Sequence, residues 1–493
     1  MDYKHTIKNT LLNLNSDSKE LRERKRVRND YYFFLGECKE KDRKDLLLID
    51  EDKLGMNWIT TDDIDYVPAE DIRNKVKPLL RKQARFMFSK EPDILFKPYL
   101  LEDKDKCEEL RQFIDGILED NSFWSLTLKA FLMCTIKKRV LLRLEINPSE
   151  PIKIYYEDIK DFSYTANSNT KEVETVTIVK IDPITEDLNI NDQVWLKYTY
   201  FMEGGTCKLN VQSYHSNLLD KPFSEVTSDT KLSRLPMWVV INGGLLNEEF
   251  GESDLEDLRS PQNQYNRKVS DFADALRFNM FPQTVTVDAT PDSVNKMTIA
   301  PNALAPLISV EGKTATVQKL ETNFSGSEAL ENFLNRIERD MRYMLDMPSV
   351  DDLNNIPSAK ALKYIYNDLV ARCEEKWKDW ENVFREMILL IIESCIKFKC
   401  YATWKEDWNN LDFKILFKHN YPIPEDVEDK KNLAMSEVNA NLKSRKTYIK
   451  EFGDVEDYET EWKEILEEIQ EINEVENDQF IPDNNTNGDV NGN

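Results

Sequence analysis

The longest uninterrupted pattern of apolar and polar positions in the chain runs from Ser358 to Phe398 and contains no proline or glycine. Apolar side chains recur every three or four residues from Leu362 to Cys395, which predicts one amphipathic helix. Ser358 suits the N-cap position of this helix. At 1.5 Å per residue the helix would be about 60 Å long, which is more than a compact domain usually spans. We therefore expect a long partner surface for it.

Three- and four-residue periodicity also predicts helices before residue 140. These helices cover 1–36, Ala69–Phe88, Glu108–Leu118 and Phe123–Ile136. The first contains a basic block, Lys19–Arg28, in which Glu20 and Glu23 are interleaved. Two interpretations of the block stay open: a solvated helix face, or a contact with nucleic acid or a partner.

From Arg139 the period changes to two, and β-branched and aromatic residues become frequent. The predicted strands are 140–146, 152–158, 173–181, 193–202 and 208–214, with turn residues between them. They predict an antiparallel sheet. The first half of the chain is therefore predicted to be a helical lobe followed by a β lobe, an α+β arrangement.

Helical and β-type patterns alternate in the second half. Ser260 is a candidate N-cap with Pro261 at the first helical position, and this helix is predicted to end at Met280. A β insert with strands at 283–288, 302–310 and 315–320 precedes a helix at Glu328–Leu345. The remaining predictions are a loop at 347–357, a strand within 404–417 that returns to the β lobe, and helices at 430–451 and 454–474.

Charge and composition restrict the class of protein. The net charge of −25 argues against coating nucleic acid through bulk positive charge, but not against a local basic surface or a ring through which DNA slides. Seven scattered cysteines and three histidines offer no zinc-site spacing, so neither a metal nor a cofactor is predicted. No apolar run reaches the length of a membrane helix, so no membrane contact is predicted.

Catalytic signatures are missing from the sequence. It contains no H-E-x-x-H, no G-x-S-x-G and no Walker A lysine, and Gly243-Gly244 lacks the spacing of a phosphate loop. Carboxylates are abundant, but abundance in so acidic a chain does not identify an acid–base pair. The sequence therefore predicts no enzyme, and a metal-dependent nuclease of unfamiliar type remains the weaker alternative.

The order of helix, β insert, returning helix, loop and long helix indicates a stalk that stands out from a larger lobe. Such a subunit would leave helical faces exposed, and side-by-side assembly buries them. The sequence resembles the portal proteins of tailed bacteriophages of the Gram-positive phage type, the head-to-tail connector family. The resemblance rests on order and spacing over nearly the whole chain, in YYFFLGE, KQARFMFSKEP, FGESDLEDLRSPQNQYNRKVSDFADAL, IPSAKALKYIYNDL and SRKTYIKEFGDVEDYETEWKEI.

The resemblance implies a mainly helical α+β portal fold with named regions. These are a wing with an antiparallel β lobe at 1–252, to which 399–424 returns; stem helices at 253–281 and 326–347; a small β clip at 282–325; a tunnel loop at 348–357; a long tunnel helix at 358–398; crown helices at 425–476; and a disordered tail at 477–493.

The resemblance also implies a function without catalysis. A homo-oligomeric ring, usually a dodecamer, would occupy one capsid vertex of the virion, and double-stranded DNA would be packaged and ejected through its channel. The implied partners are the terminase large subunit, the head–tail connector or adaptor, and the major capsid and scaffold proteins, with assembly in the host cytoplasm. The alternative is another phage structural adaptor, such as a baseplate or scaffold-binding component with a helical stalk.

Candidate site residues fall into three groups. The channel group comprises the tunnel loop and helix start: Val350, Asp351, Asp352, Leu353, Asn354, Asn355, Lys360 and Lys363. The basic ridge is Arg336, Arg339 and Arg342, which would contact either DNA or neighbouring subunits through ion pairs. The resemblance places terminase and connector contacts in the clip, at Pro291, Asp292, Asn295, Lys296 and Asn302.

Overall fold

The computed structural model divides the chain into two units. The first contains Met1–Asn354 and Ile365–Pro422, and the second contains Asn355–Tyr364 and Ile423–Asn493. The structure describes residues 3–14, 18–36, 68–69, 71–167, 172–244, 249–280, 284–296, 307–319, 327–349, 359–423, 427–453 and 457–478.

The described helices are numbered in chain order. They are α1 (Tyr3–Leu11), α2 (Lys19–Leu35), α3 (Val76–Phe88), α4 (Lys104–Asp120), α5 (Phe123–Lys137), α6 (Glu256–Met280), α7 (Pro291–Asn295), α8 (Ser327–Tyr343), α9 (Ala359–Ile365), α10 (Asn367–Phe398), α11 (Val427–Asn439), α12 (Arg445–Phe452) and α13 (Tyr458–Asp478).

The described strands are β1 (Asp93–Pro98), β2 (Arg139–Glu145), β3 (Lys153–Asp158), β4 (Phe162–Ala166), β5 (Val173–Ile181), β6 (Val194–Glu203), β7 (Thr206–His215), β8 (Ser224–Asp229), β9 (Met237–Ile241), β10 (Thr284–Val287), β11 (Thr316–Lys319) and β12 (Phe413–Lys418). They alternate with the helices in a mixed helix-and-sheet fold whose sheets are antiparallel.

The predicted single sheet is instead two sheets. One has the strand order β4-β5-β6-β7-β8, and the other has the order β3-β2-β9 with β2 in the centre. Sequence periodicity missed β8 because all six of its residues are exposed, so no alternation marks it. It also missed β9, which continues the second sheet through the pairing of Val140 with Val240.

The N-terminal helices cover the sheets rather than forming a separate helical lobe, which corrects the predicted arrangement. Val27 of α2 packs with Leu141, Phe162 and Val176 in one buried cluster. Leu11 of α1 packs in a second cluster on the five-stranded sheet. Amphipathic helices bury their apolar face against whichever apolar surface the chain brings close, and here that surface is a sheet.

The basic block fits neither of its two interpretations completely, because part of it is buried against the sheets. Arg24 is buried, and its guanidinium donates to the carbonyl of Ile159 at 2.6 Å. Glu23 is buried as well and pairs with Lys138 at 2.6 Å. These contacts attach α2 to the loops and strand ends beneath it, whereas Arg22 and Arg26 remain exposed.

The helix predicted from Ala69 begins only at Val76, and Ala69 and residues 71–75 are non-helical and lie along α6. Side chains at four positions of α6, each four residues apart, accept hydrogen bonds from alternate backbone N–H groups of this segment. The pairs are Gln262 with Lys75 at 2.9 Å, Asn266 with Arg73 at 3.2 Å, Ser270 with Asp71 at 3.0 Å and Asp274 with Ala69 at 3.0 Å. We call these four α6 side chains the polar ladder.

The hydrogen bonds of the ladder can form in series because the spacing of positions four apart on a helix nearly matches the spacing of alternate residues in an extended chain. Positions four apart on one helix face are separated by about 6 Å, and alternate residues of an extended chain by about 6.6 Å. Helical periodicity in the sequence could not reveal this, since the competing partner lies nearly two hundred residues further along the chain.

The predicted long helix is divided. Tyr366 separates α9 from α10, and its ring stacks on Phe86 of α3 at 5.5 Å between centroids. The boundary between the two units falls at the same place. The interruption of a pattern that by itself favours one continuous helix thus coincides with a tertiary ring contact at Tyr366.

The partner surface of α10 in the first unit includes α3, α5 and β9. Aromatic rings form the core between α10 and these elements. The ring centroids of Phe88 and Trp377 lie 4.9 Å apart, and those of Phe123 and Phe384 lie 5.3 Å apart. Rings of this size bury large apolar areas in offset or edge-on geometry. They account for the stable anchoring of α10.

Two further predictions differ from the structure. The returning strand, β12, pairs with β1 in a separate two-stranded ribbon rather than joining the β lobe. The helix predicted at 430–451 is two helices, α11 and α12, with Ser444 as the N-cap of the second. The strand predicted at 302–310, the tunnel loop and residues 479–493 of the predicted disordered tail lie wholly or largely outside the described residues.

Gln262→Leu tests the polar ladder. The substitution leaves the N–H of Lys75 without its acceptor and removes the donor to the carbonyl of Arg73, so we expect a loss of about 1–3 kcal/mol in unfolding free energy. Amide exchange at Lys75 should accelerate. Gln264→Leu is the control, because Gln264 is exposed on the same helix. Equal losses in both variants would contradict the ladder.

Candidate functional site

A buried polar junction lies where the chain leaves the three-stranded sheet and enters α6. The turn before α6 has the sequence FGESD, residues 250–254. Gly251 has φ +73°, and a Cβ there would lie 2.6 Å from Cγ2 of Ile241 and 2.9 Å from the carbonyl oxygen of Asn242. Only glycine fits this close approach without strain.

The polar residues of the turn bind the end of α5. The Ser253 hydroxyl donates to the carbonyl of Ile136 at 2.9 Å, and the Asp254 N–H donates to the carbonyl of Thr135 at 3.0 Å. Phe250 lies under the guanidinium of Arg139 at 4.8 Å. Each of these contacts fixes the direction in which α6 begins.

The Asp254 carboxylate is the centre of the junction. Its Oδ1 accepts from Lys376 Nζ and Asn242 Nδ2, both at 3.0 Å. Its Oδ2 accepts from Gln83 Nε2 at 2.9 Å and lies 3.3 Å from Arg372 Nη2. One carboxylate therefore connects the sheet, α3, α6 and α10.

Electrostatics keep this carboxylate ionised. Burial acts to raise the pKa of Asp254, but Lys376 and Arg372, with the Asn242 hydrogen bond, outweigh it and hold the pKa below its ordinary value. The stabilisation from this ionisation is therefore present above the ordinary carboxyl pKa and is lost as pH falls through the lower, folded-state pKa.

Arg372 extends the junction to the second predicted stem helix. Its Nη1 donates to Asp346 at 3.2 Å, three residues after the end of α8, while its Nη2 contacts Asp254. Lys376, one turn further along α10, also donates to Oδ1 of Asn242 at 2.8 Å. The start of α6 and the end of α8 are thus held by adjacent turns of one helix.

The two predicted stem helices pack against each other beyond the junction. Ile337 and Met341 form the buried side of α8. Lys75, at the start of α3, lies 2.6 Å from Glu338 of α8 and 5.2 Å from the ring centre of Tyr265 of α6. The polar ladder and this ion pair place the segment before α3 against both helices.

The structure separates the three arginines of the predicted basic ridge. Arg336 and Arg339 are exposed and line a groove of about 560 Å³ on α8 with Asn332 and Asn335. Arg342 is half-buried near Lys82, whose pKa is lowered by burial and by this neighbouring cation. Positions three apart drift by about 60° around a helix, so the outer two members of the ridge face different directions.

The predicted clip residues lie partly in a short helix. Pro291 and Asp292 begin α7, and Asn295 and Lys296 end it, all exposed. Asn302 lies outside the described residues. The strands β10 and β11 form a two-stranded ribbon beside it, with exposed valines at 285, 287 and 317.

Most of the predicted channel group lies outside the described residues, namely Val350, Asp351, Asp352, Leu353, Asn354 and Asn355. Lys360 lies in α9, and Lys363 is an exposed residue of the same helix.

Sequence reasoning missed the junction residues, although two signals were present. Asp254 lies inside the FGESD segment, which is part of one of the motifs that carry the family resemblance. Arg372 and Lys376 are cations four residues apart beside the buried Leu369, Cys373 and Trp377, where an apolar stripe predicts no charge. A cation within such a stripe indicates a buried anionic partner.

Within the described residues, no group of three or more His, Cys, Asp or Glu side chains is arranged to hold a metal ion. No helix in the described part of the chain is long and apolar enough to cross a bilayer. Fold and junction thus define a mixed α+β protein in which two long helices are fastened to a third by buried charge.

The family model described as "Phage portal protein, SPP1 Gp6-like" matches residues 15–475. The chain therefore belongs to this family of phage portal proteins. No curated protein matches the chain.

Several solved structures are similar at low identity. The chain of "Neck of native GTA particle computed with C12 symmetry" is 10% identical, with 76% of this chain and 89% of that chain covered and a TM-score of 0.39. The chain of "Virion of native gene transfer agent (GTA) particle" is 10% identical, with 78% and 94% covered and a TM-score of 0.39. The chain of "Neck of empty GTA particle computed with C6 symmetry" is 9% identical, with 78% and 94% covered and a TM-score of 0.41.

Gly251→Ala tests the close approach at the turn. The new Cβ would overlap Ile241 and Asn242, so we expect a loss of about 2–4 kcal/mol in unfolding free energy. Gly243→Ala is the control, since Gly243 has φ +54° but a Cβ added there would meet no atom within 4 Å, and it should cost about 1 kcal/mol. Urea unfolding measures both. Equal losses of unfolding free energy in the two variants would show that the left-handed backbone conformation, and not the close approach of Ile241 and Asn242, determines the loss.

Asp254→Asn tests the junction itself. It leaves Lys376 and Arg372 buried with less compensating charge, so unfolding free energy at pH 7 should fall by about 3–5 kcal/mol. Asp271→Asn removes a carboxylate from an exposed pair with Lys268 on the same helix and should cost less than about 1 kcal/mol. The difference between the variants should shrink in acid; a difference independent of pH would contradict the ionised junction.

Proposed function

We propose that this chain is a portal subunit that assembles into a dodecameric ring at one vertex of a phage capsid. Double-stranded DNA is packaged and later ejected through the axial channel of the ring. The observation that carries the proposal is the family match, which extends over residues 15–475 and so over most of the chain.

The exposed apolar side chains of the predicted clip support ring formation. A two-stranded ribbon is marginally stable alone, and β10 with β11 exposes Val285 at 37%, Val287 at 44% and Val317 at 40%. Neighbouring subunits in a ring would cover these valines. Terminase and the head–tail connector would then dock on the outer surface of the clip, at Pro291, Asp292, Asn295, Lys296 and Asn302.

The charge of the side chains that face the channel would determine how strongly its wall holds DNA. A ring repeats each channel-facing side chain as a belt, and a strongly cationic belt would hold DNA phosphates and slow translocation. Asp351, Asp352 and the neighbouring asparagines of the tunnel loop form the part of low adhesion in this proposal. Lys360 and Lys363 at the helix start supply the occasional basic contact.

Arg336 and Arg339 are assigned to contacts between subunits. Both are exposed, and within the described residues no carboxylate of the same chain pairs with either. In a chain with a net charge of −25, a neighbouring subunit offers many carboxylates. Ion pairs across the ring interface would also offset the mutual repulsion of acidic subunits.

The proposal also assigns partner proteins and a location in the virion to this chain. Major capsid and scaffold proteins would contact the wing at the capsid vertex, after assembly in the host cytoplasm. The portal has no catalytic role in it, and the energy for packaging comes from the terminase motor.

Negative-stain images of the purified full chain should show closed rings with a central hole wide enough for duplex DNA. Replacing Arg336 and Arg339 together by Glu should abolish the rings, because the interface then places like charges together. The control replaces Lys97 and Lys414 together by Glu and should leave the rings intact. These two lysines are exposed and lie opposite each other in the β1–β12 ribbon.

Other outcomes separate the alternatives. Intact rings of the Arg336/Arg339 variant that fail to package DNA would assign these arginines to the channel. A particle that stays monomeric at high concentration would contradict the portal proposal, and a ring with a hole too narrow for duplex DNA would favour a structural adaptor.

A further inference from the structure

A cleft of about 860 Å³ lies between the two main sheets and the C-terminal end of α10. Apolar side chains of Ile178, Leu209 and Leu232 line it, together with the half-buried rings of Tyr198 and Tyr200. This volume is typical of a ligand site and large enough for several residues of a peptide. The cleft shares no lining residue with the polar junction or with the groove on α8.

Cations outnumber anions in the wall of the cleft. Arg143 and Lys180 are both paired with the buried Glu157, at 3.2 and 2.6 Å. Glu145 and Asp229 are the acidic residues that line the cleft. Glu145 lies 3.7 Å from Arg143, and Asp229 accepts the backbone N–H of Lys231 at 2.7 Å.

Three lysines at the rim supply the excess positive charge: Lys231, Lys397 and Lys399. Within the described residues, no carboxylate forms an ion pair with any of them. The Lys397 ammonium donates to the backbone carbonyl of Lys231, which joins the two sides of the rim. A local excess of positive charge contrasts with the net charge of −25 of the whole chain.

Two of these lysines occupy a conformation that favours glycine. Lys231 has φ +59° and Lys399 has φ +50°, in the left-handed region. A non-glycine residue there costs about 1 kcal/mol or more. The position of Lys399 after the end of α10 gives its cation a favourable interaction with the helix dipole, but Lys231 follows a strand and has no such benefit.

We propose that this cleft binds an acidic peptide segment of a partner protein. Carboxylates of the peptide pair with Lys231 and Lys399 at the rim, and its apolar side chains contact Leu209 and Tyr198 inside. A duplex with continuous phosphates fits less well, because Glu145 and Asp229 lie in the wall and the floor is apolar. The proposal does not depend on ring formation.

Fluorescence anisotropy with the purified full chain tests the proposal. The probe is a short fluorescein-labelled peptide of glutamate with interspersed leucine, and a peptide with lysine in place of glutamate is the negative probe. We expect the acidic probe to bind and its affinity to fall at high salt, since rim charges are screened by added ions.

Lys231→Gly combined with Lys399→Gly is the decisive variant. Glycine relieves the left-handed strain and keeps the backbone hydrogen bonds, so thermal stability should be unchanged or higher while affinity for the probe falls at least about tenfold. The double arginine variant at the same positions keeps the charge and should bind within about threefold of the native chain. Lys90→Ala with Lys104→Ala, two exposed lysines elsewhere, should have no effect.

Three results would overturn the proposal. These are no measurable binding of the acidic probe, an equal loss of affinity in the glycine variant and the Lys90/Lys104 control, or displacement of the probe by duplex DNA with the same dependence on Lys231 and Lys399. The last result would assign the cleft to nucleic acid instead.

Discussion

The arrangement of α6, α8 and α10 depends on the ion pairs and hydrogen bonds of the ionised Asp254 carboxylate. This carboxylate is buried and has four polar neighbours from three other parts of the chain. A buried ion pair contributes little net stability compared with apolar packing, but losing one partner leaves a charge that the interior cannot solvate. The junction therefore selects one geometry, in which α6 and the end of α8 meet adjacent turns of α10.

The helix α6 serves two partners through different chemistry. One side carries the polar ladder, which replaces the strand partner that residues 69–75 lack, and the other side packs on α8. Each side chain of the ladder accepts a hydrogen bond from the segment before α3, which offsets most of the cost of a polar side chain on a buried helix face, although Nδ2 of Asn266 has no partner within the described residues. Lys75 then connects the segment before α3 to α8 through Glu338.

The cations of the junction, of the groove on α8 and of the cleft lie in three different environments. At the junction the cations are buried and compensated, in the groove of α8 they are exposed, and at the cleft they surround an apolar floor. These differences matter because a charge can act on a partner only where no partner of its own chain neutralises it. The net charge of −25 disfavours general adhesion of nucleic acid to the surface.

The sequence by itself determined the type of most elements, because apolar periodicity reports which face of a segment is buried: β5 spans the predicted residues Val173–Ile181, and α8 differs from its prediction by one or two residues at each end. It also indicated the family through the order of its motifs. Only the tertiary structure decided where α3 begins, where the long helix is interrupted and which arginines of the ridge share a face. The junction at Asp254, the polar ladder and the cleft each join residues more than a hundred positions apart. Periodicity is a local property of the chain, whereas the pairing of a buried charge depends on which distant segment packs against it.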